Sequence, residues 1–210
     1  ERYYYFDFLN NRFIFLDSNL DYSKGSEQYQ WLKKTLEKSK EDKINNIFIS
    51  MHHSLFSSSR HGRLNEKGLP REKPIYIGRR DLVPLFEKYK VTAVFAGHDH
   101  TYERSVKNGI VYITAGGAGA PLYPKMKTAK LQNPYSKFYK SIEHYLIVNV
   151  DKNKVNIEVY DLNGNKIDAK EFDWDGCHKI YLLESNEDRY QAIKIGYEKI
   201  FPISELEYIY

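Results

Sequence analysis

Apolar positions along the chain follow two periods before about residue 115 and mainly one period after it. Runs rich in Ile, Val, Phe and Tyr, which suit a pleated and half-buried surface, predict strands at residues 3–8, 12–16, 46–51, 91–96 and 112–114. Between them Tyr29, Leu32 and Leu36 recur at helical spacing and predict a helix over 26–40. A long loop over 54–77 leads to a second predicted helix over 80–90, with Asp81 as its cap and Pro84 in its first turn. Beyond a Gly- and Pro-rich loop the pattern turns purely β. Residues 144–150 pass through Asp151-Lys152-Asn153 into 155–160, and Asn163-Gly164 is a hairpin signal leading into 166–172. The expected fold class is α/β, an α+β sandwich of two stacked sheets with helices outside.

Residues 176–210 stand apart as a small α/β appendage to a main body at 1–175. A strand is predicted at 179–184, a capping box at 185–188, a helix over 188–199 and a short apolar segment at 200–210. This piece is too short to hold a core of its own and must dock on something else.

Composition narrows the classes. With 41% hydrophobic and 15% aromatic residues among 210, the chain can bury a core. The 32 basic and 28 acidic residues leave a net charge of +4, and basic residues cluster only in pairs such as Lys33-Lys34. That is a Lys-rich solvated surface, not a nucleic-acid footprint. No apolar run is long enough to span a membrane, and the single Cys177 excludes an internal disulfide.

The candidate chemistry lies in the histidines. Gly97-His98-Asp99-His100 directly follows the strand at 91–96, which places two imidazoles at the C-terminal rim of a sheet. The strand at 46–51 also ends in histidines, His52 and His53. Taken alone, that pair is equally well explained as a polar strand end. Together the two strand ends suggest that His52, His98 and His100 converge on a metal.

The segment Val94-Phe95-Ala96-Gly97-His98-Asp99-His100-Thr101-Tyr102-Glu103-Arg104-Ser105 resembles the last metal-binding block of the calcineurin-like metallophosphoesterases, specifically their purple-acid-phosphatase branch. Phe13 to Asn19 with Gly25-Ser26 and Gln28 to Leu32, Met51-His52 with Phe56-Ser57-Ser58, Tyr112 to Pro121, and His144-Tyr145-Leu146 are similar to other segments of that family in the same order. The resemblance spans roughly residues 3–174. It implies phosphate ester hydrolysis by water activated at two transition metals, iron, zinc or manganese, with His52 and His98 on one ion and His100 on the other. His61, at the spacing of the family's substrate-side histidines, is implied as general acid or phosphate ligand. Tyr102, Glu103 and Arg104 are expected to orient the ligand pair, and Gly116 to Gly119 to form a tight turn.

The family's Asp-x-His, Gly-Asp and Gly-Asn-His-Glu blocks do not occur in this sequence. Two ions about 4 Å apart need carboxylates as well as imidazoles. The expectation is therefore the C-terminal half of a catalytic domain, inactive by itself, with its missing N-terminal half as partner and sheet edges free for self-association. The alternative is a degenerate, metal-free binding or scaffolding domain. A structural zinc site is disfavoured, because it is usually closed and four-coordinate and the lone cysteine is far along the chain.

Overall fold

Strands β1 (Tyr4–Phe8) and β2 (Asn11–Phe15) form an antiparallel hairpin in the computed structural model, which describes residues 2–151, 154–174, 178–183 and 190–194. Helix α1 (Glu27–Glu41) crosses over to β3 (Asn46–His53), which pairs parallel to β2. Ser26 caps α1 by accepting the Tyr29 N–H at 3.2 Å, and Leu32 and Leu36, at helical spacing, are fully buried. Each such leucine contributes about 1.5–3 kcal/mol of burial.

The helix predicted over 80–90 starts earlier. Helix α2 (Lys73–Ile77), a π-helical segment (Gly78–Leu82) and α3 (Val83–Lys88) run on continuously after Glu72. Pro74 sits in the first turn, where its missing N–H costs nothing. The widened π turn ends two residues before Pro84, which cannot donate into a regular ladder. Asp81 is therefore no cap: it lies inside this helical run, pairs with Arg80 at 2.6 Å and accepts the Lys24 N–H at 2.9 Å.

Strand β4 (Ala93–Gly97) pairs parallel to β3, and β6 (Ile110–Ala115) parallel to β4. Strands β5 (Tyr102–Lys107) and β7 (Ser136–Lys140), with the short helix α4 (Ala129–Gln132), are additions to the predicted elements. The seven strands follow the order β1-β2-β3-β4-β6-β5-β7. Alternation gives the sheet two different faces. Ile14, Ile47, Ile49 and Val94 join the buried core with Leu32, Leu36, Leu82 and Phe86. On the intervening positions Phe6, Phe13, Phe48 and Phe95 form a row of rings with successive centroids 5.0, 5.2 and 6.4 Å apart.

The chain divides into two compact units, residues 1–143 and 144–210. The second holds β8 (His144–Val150), β9 (Lys154–Asp161), β10 (Lys166–Trp174), β11 (His178–Leu183) and β12 (Tyr190–Lys194), all antiparallel, in the order β12-β11-β10-β9-β8. The Asn163-Gly164 turn is present, with Gly164 at φ 79° and Asp161 accepting the Asn163 and Asn165 N–H groups. The helix predicted over 188–199 is not what the described part shows: Tyr190–Lys194 is a strand, whose backbone pairs antiparallel with β11. Residues 184–189, within which the capping box was predicted, and the closing segment at 200–210 lie outside the described residues.

Candidate metal centre

Neighbouring parallel strands end at the same rim of a sheet, so β3 and β4 deliver their histidines together. The pairing shifts between Met51 and His53, and this irregularity separates the two β3 histidines. His52 continues the positions of Phe48 and Ser50 and is exposed. His53 is buried: the Ser18 hydroxyl lies 2.7 Å from its Nδ1 and accepts its backbone N–H at 3.1 Å.

His98 leaves β4 with φ 65°, in the left-handed region, at a cost of roughly 1–2 kcal/mol for a residue with a Cβ. The tight turn is held by the Asp99 N–H on the Gly97 carbonyl at 2.8 Å and the Thr101 N–H on the Asp99 carbonyl at 2.9 Å. Gly116 closes against it, donating to the Thr101 carbonyl at 3.1 Å, and a Cβ there would stand 2.1 Å from the Asp99 carbonyl oxygen. The glycine-rich segment thus packs a bare backbone against the histidine turn.

Two ring nitrogens meet directly, His52 Nε2 and His98 Nδ1 at 3.0 Å. On the other side of its ring, His98 Nε2 is 2.8 Å from Glu72 Oε2. The second oxygen of Glu72 is 2.5 Å from His61 Nδ1. His61 sits in a 3-10 turn (Arg60–Gly62), and its backbone N–H donates to Asp99 Oδ1 at 3.0 Å. The His61 and His98 rings are 3.9 Å apart. Among the described residues, the trio whose donor atoms all lie within 4.8 Å of one another is His53, Glu72 and His98. His100 is outside it. Its Nδ1 donates to the Pro121 carbonyl at 2.9 Å and its ring stacks on Tyr123 at 4.3 Å, which leaves Nε2 as its acceptor nitrogen.

Partial desolvation of its ring, followed by the neighbouring His98 imidazole, holds His52 below the usual histidine value, and fuller burial with the same neighbour brings His53 down to about 4. Both are neutral at pH 7, the form that ligates metals. Burial pushes the Glu72 carboxyl up, but hydrogen bonds from His61 and His98 outweigh it and leave the group below the usual carboxylate value. An ionised carboxylate only accepts, so His98 Nε2 and His61 Nδ1 are the protonated nitrogens. The separation of His52 Nε2 from His98 Nδ1 matches two adjacent ligands on one ion at metal–nitrogen distances of about 2.1 Å, with Glu72 bonded to the far side of the His98 ring. These donors fit zinc, iron or manganese.

Glu72 went unnoticed in the sequence because it lies in a polar loop with no spacing rule tying it to a histidine. Tyr102, Glu103 and Arg104 form part of the buried β5. Glu103 accepts the Ser58 N–H at 2.6 Å, the Ser58 hydroxyl at 2.5 Å and the Asn133 side-chain amide at 2.9 Å. It anchors the segment leading into His61 and bonds to neither strand-end histidine.

Residues 3–102 match the family model of the calcineurin-like phosphoesterases. The chain is 32% identical over 148 residues to purple acid phosphatase 21 of Arabidopsis thaliana, covering 66% of this chain and 32% of that protein. It is 32% identical over 102 residues to the probable inactive purple acid phosphatase 9 of the same plant, covering 49% of this chain and 15% of the other. The structure of a purple acid phosphatase from yellow lupin (Lupinus luteus) seeds shares the fold, with TM-score 0.70 at 24% identity over 81% of this chain and 32% of that one. The chain thus spans about a third of the length of such relatives, or less. Residues 3–102 of this chain are similar to the calcineurin-like phosphoesterases, and the chain resembles the purple acid phosphatases over a longer stretch.

Proposed function

We propose that this chain supplies the histidine side of a two-metal site that hydrolyses phosphate esters. The observation that carries the reading is the pair His52 Nε2 and His98 Nδ1, 3.0 Å apart, with Glu72 bonded behind His98. His52 and His98 hold one ion and His100 the other, through the nitrogen opposite its bond to Pro121. Bound iron, zinc or manganese neutralises the phosphate oxygens and acidifies an attacking water. His61, with Nδ1–H tied to Glu72, would present Nε2 to the ester and, when that nitrogen is protonated as well, would pass its Nε2 proton to the leaving oxygen. The remaining carboxylate ligands come from a part of the catalytic domain outside this sequence. In isolation the chain should therefore turn over no nitrophenyl phosphate with any of these metals, and should pair its exposed β1 edge, carrying Tyr4, Phe6 and Phe8, with another copy.

A second reading, a metal-free scaffolding domain, draws on the relative named as probably inactive. Zinc calorimetry separates the two. Binding to the wild type that is lost in His98→Ala supports the metal site. Equal heats in both proteins overturn it.

A further inference from the structure

We propose that Glu72 is a positioning residue: one carboxylate that fixes the ring tautomers of both His98 and His61, and so ties the metal ligand to the group facing the substrate. The inference rests on the assignment of His98 and His61 just made.

The two contacts use different oxygens, Oε2 for His98 Nε2 and Oε1 for His61 Nδ1, so both are made at once. A proton on His98 Nε2 leaves Nδ1 with its lone pair, and Nδ1 is the nitrogen beside His52 Nε2. A proton on His61 Nδ1 leaves Nε2 as the nitrogen turned away from the carboxylate. Each imidazole thus keeps its reactive nitrogen on the side opposite Glu72. The anchor is stiff at three points. The Glu72 carbonyl accepts the Tyr76 N–H at 2.9 Å in the first turn of α2. Its two oxygens share the rings described above, which lie 3.9 Å apart, and His61 is held a second time by Asp99 Oδ1 through its backbone N–H. Outer carboxylates of this kind orient a ligating imidazole and raise its basicity, and losing one typically weakens metal binding about 10–100-fold.

The competing arrangement uses the same atoms differently. His53, Glu72 and His98 lie close enough for Glu72 to be a ligand itself, in which case the ion sits on His98 Nε2 and not on Nδ1. The position of the proton on the His98 ring distinguishes the two.

The test is nitrogen-15 NMR of the whole chain labelled at histidine, with single histidine variants for assignment and zinc as the metal. Without metal, His98 should be protonated at Nε2 and His61 at Nδ1. With zinc, the His98 Nδ1 signal should carry the metal shift while the Nε2–H persists. Zinc appearing on Nε2 overturns the proposal in favour of ligation by Glu72. Glu72→Ala should let both rings exchange tautomers and weaken zinc about 10–100-fold, whereas His52→Ala should abolish binding. Glu72→Gln, which preserves volume and has one accepting oxygen, should keep one of the two tautomers and lose the other. Fixed tautomers in a wild type that binds no zinc would sink the hydrolase reading and leave Glu72's role standing. Zinc bound at Nδ1 with tautomers indifferent to Glu72→Ala would sink this proposal alone.

Discussion

At the scale of single residues the chain is most constrained where polar groups are buried. Glu103 is fully buried, and burial raises its carboxyl above the usual value despite hydrogen bonds from Ser136, Ser58 and Asn133. A raised carboxyl makes the folded state bind its proton more tightly than the unfolded one. Its contribution is therefore complete below the unfolded value of about 4.3 and is lost as pH rises through the folded value. Glu103→Gln should remove this slope. It should also add a pH-independent loss of about 1–3 kcal/mol, because both carboxylate oxygens accept hydrogen bonds and an amide offers one accepting atom. Urea midpoints of both proteins between pH 4 and 7 would show the difference in slope. Parallel curves would mean that Glu103 folds in without a shifted affinity for its proton. Of the site residues, His98 and His100 were legible because a strand signature runs straight into them, and His52 because a second strand ends the same way. Glu72 was not legible, since its meaning comes only from a fold that brings it to His98 across 26 positions.

Among the elements, local signals foretold what local physics controls. The Tyr29, Leu32 and Leu36 stripe placed α1 to within a residue or so. The start of the 73–88 helical run was hidden because its first turn holds Pro74 and its middle widens at Gly78–Leu82, which breaks the regular period. Strand β5 was hidden differently. Tyr-Glu-Arg-Ser-Val-Lys does not alternate apolar with polar, because Glu103 and Arg104 are buried along with Tyr102. The same tertiary pairing overrides the helical pattern at Tyr190–Lys194. The turn carrying His98 and His100 depends on one close approach, Gly116 against the Asp99 carbonyl. Gly116→Ala must push backbone on backbone, so we expect a loss of about 2–4 kcal/mol and a weaker zinc site. Thermal unfolding and calorimetry on this variant would check both, and wild-type zinc affinity in a destabilised protein would separate the turn from the site.

For the whole molecule, what matters is how far apart in sequence the converging groups begin. His52 and His98 are 46 residues apart and meet only because β3 and β4 lie side by side, with α2, the π turn and α3 between them in the chain. Parallel pairing of this kind is slow to form, since a long loop must close before any contact repays it. The proposed metal site cannot assemble in a partly folded chain that has only its hairpins and helices. Zinc should therefore act on the journey out of the native state and not on the way in: unfolding slows as zinc occupancy rises, while the refolding rate stays put. Stopped-flow rates in denaturant with and without zinc would measure this. Faster refolding in zinc would mean that the histidines find each other before the sheet does. If refolding is unchanged, the ion works as a latch on a finished structure, and the lifetime of the folded chain becomes a readout of metal supply.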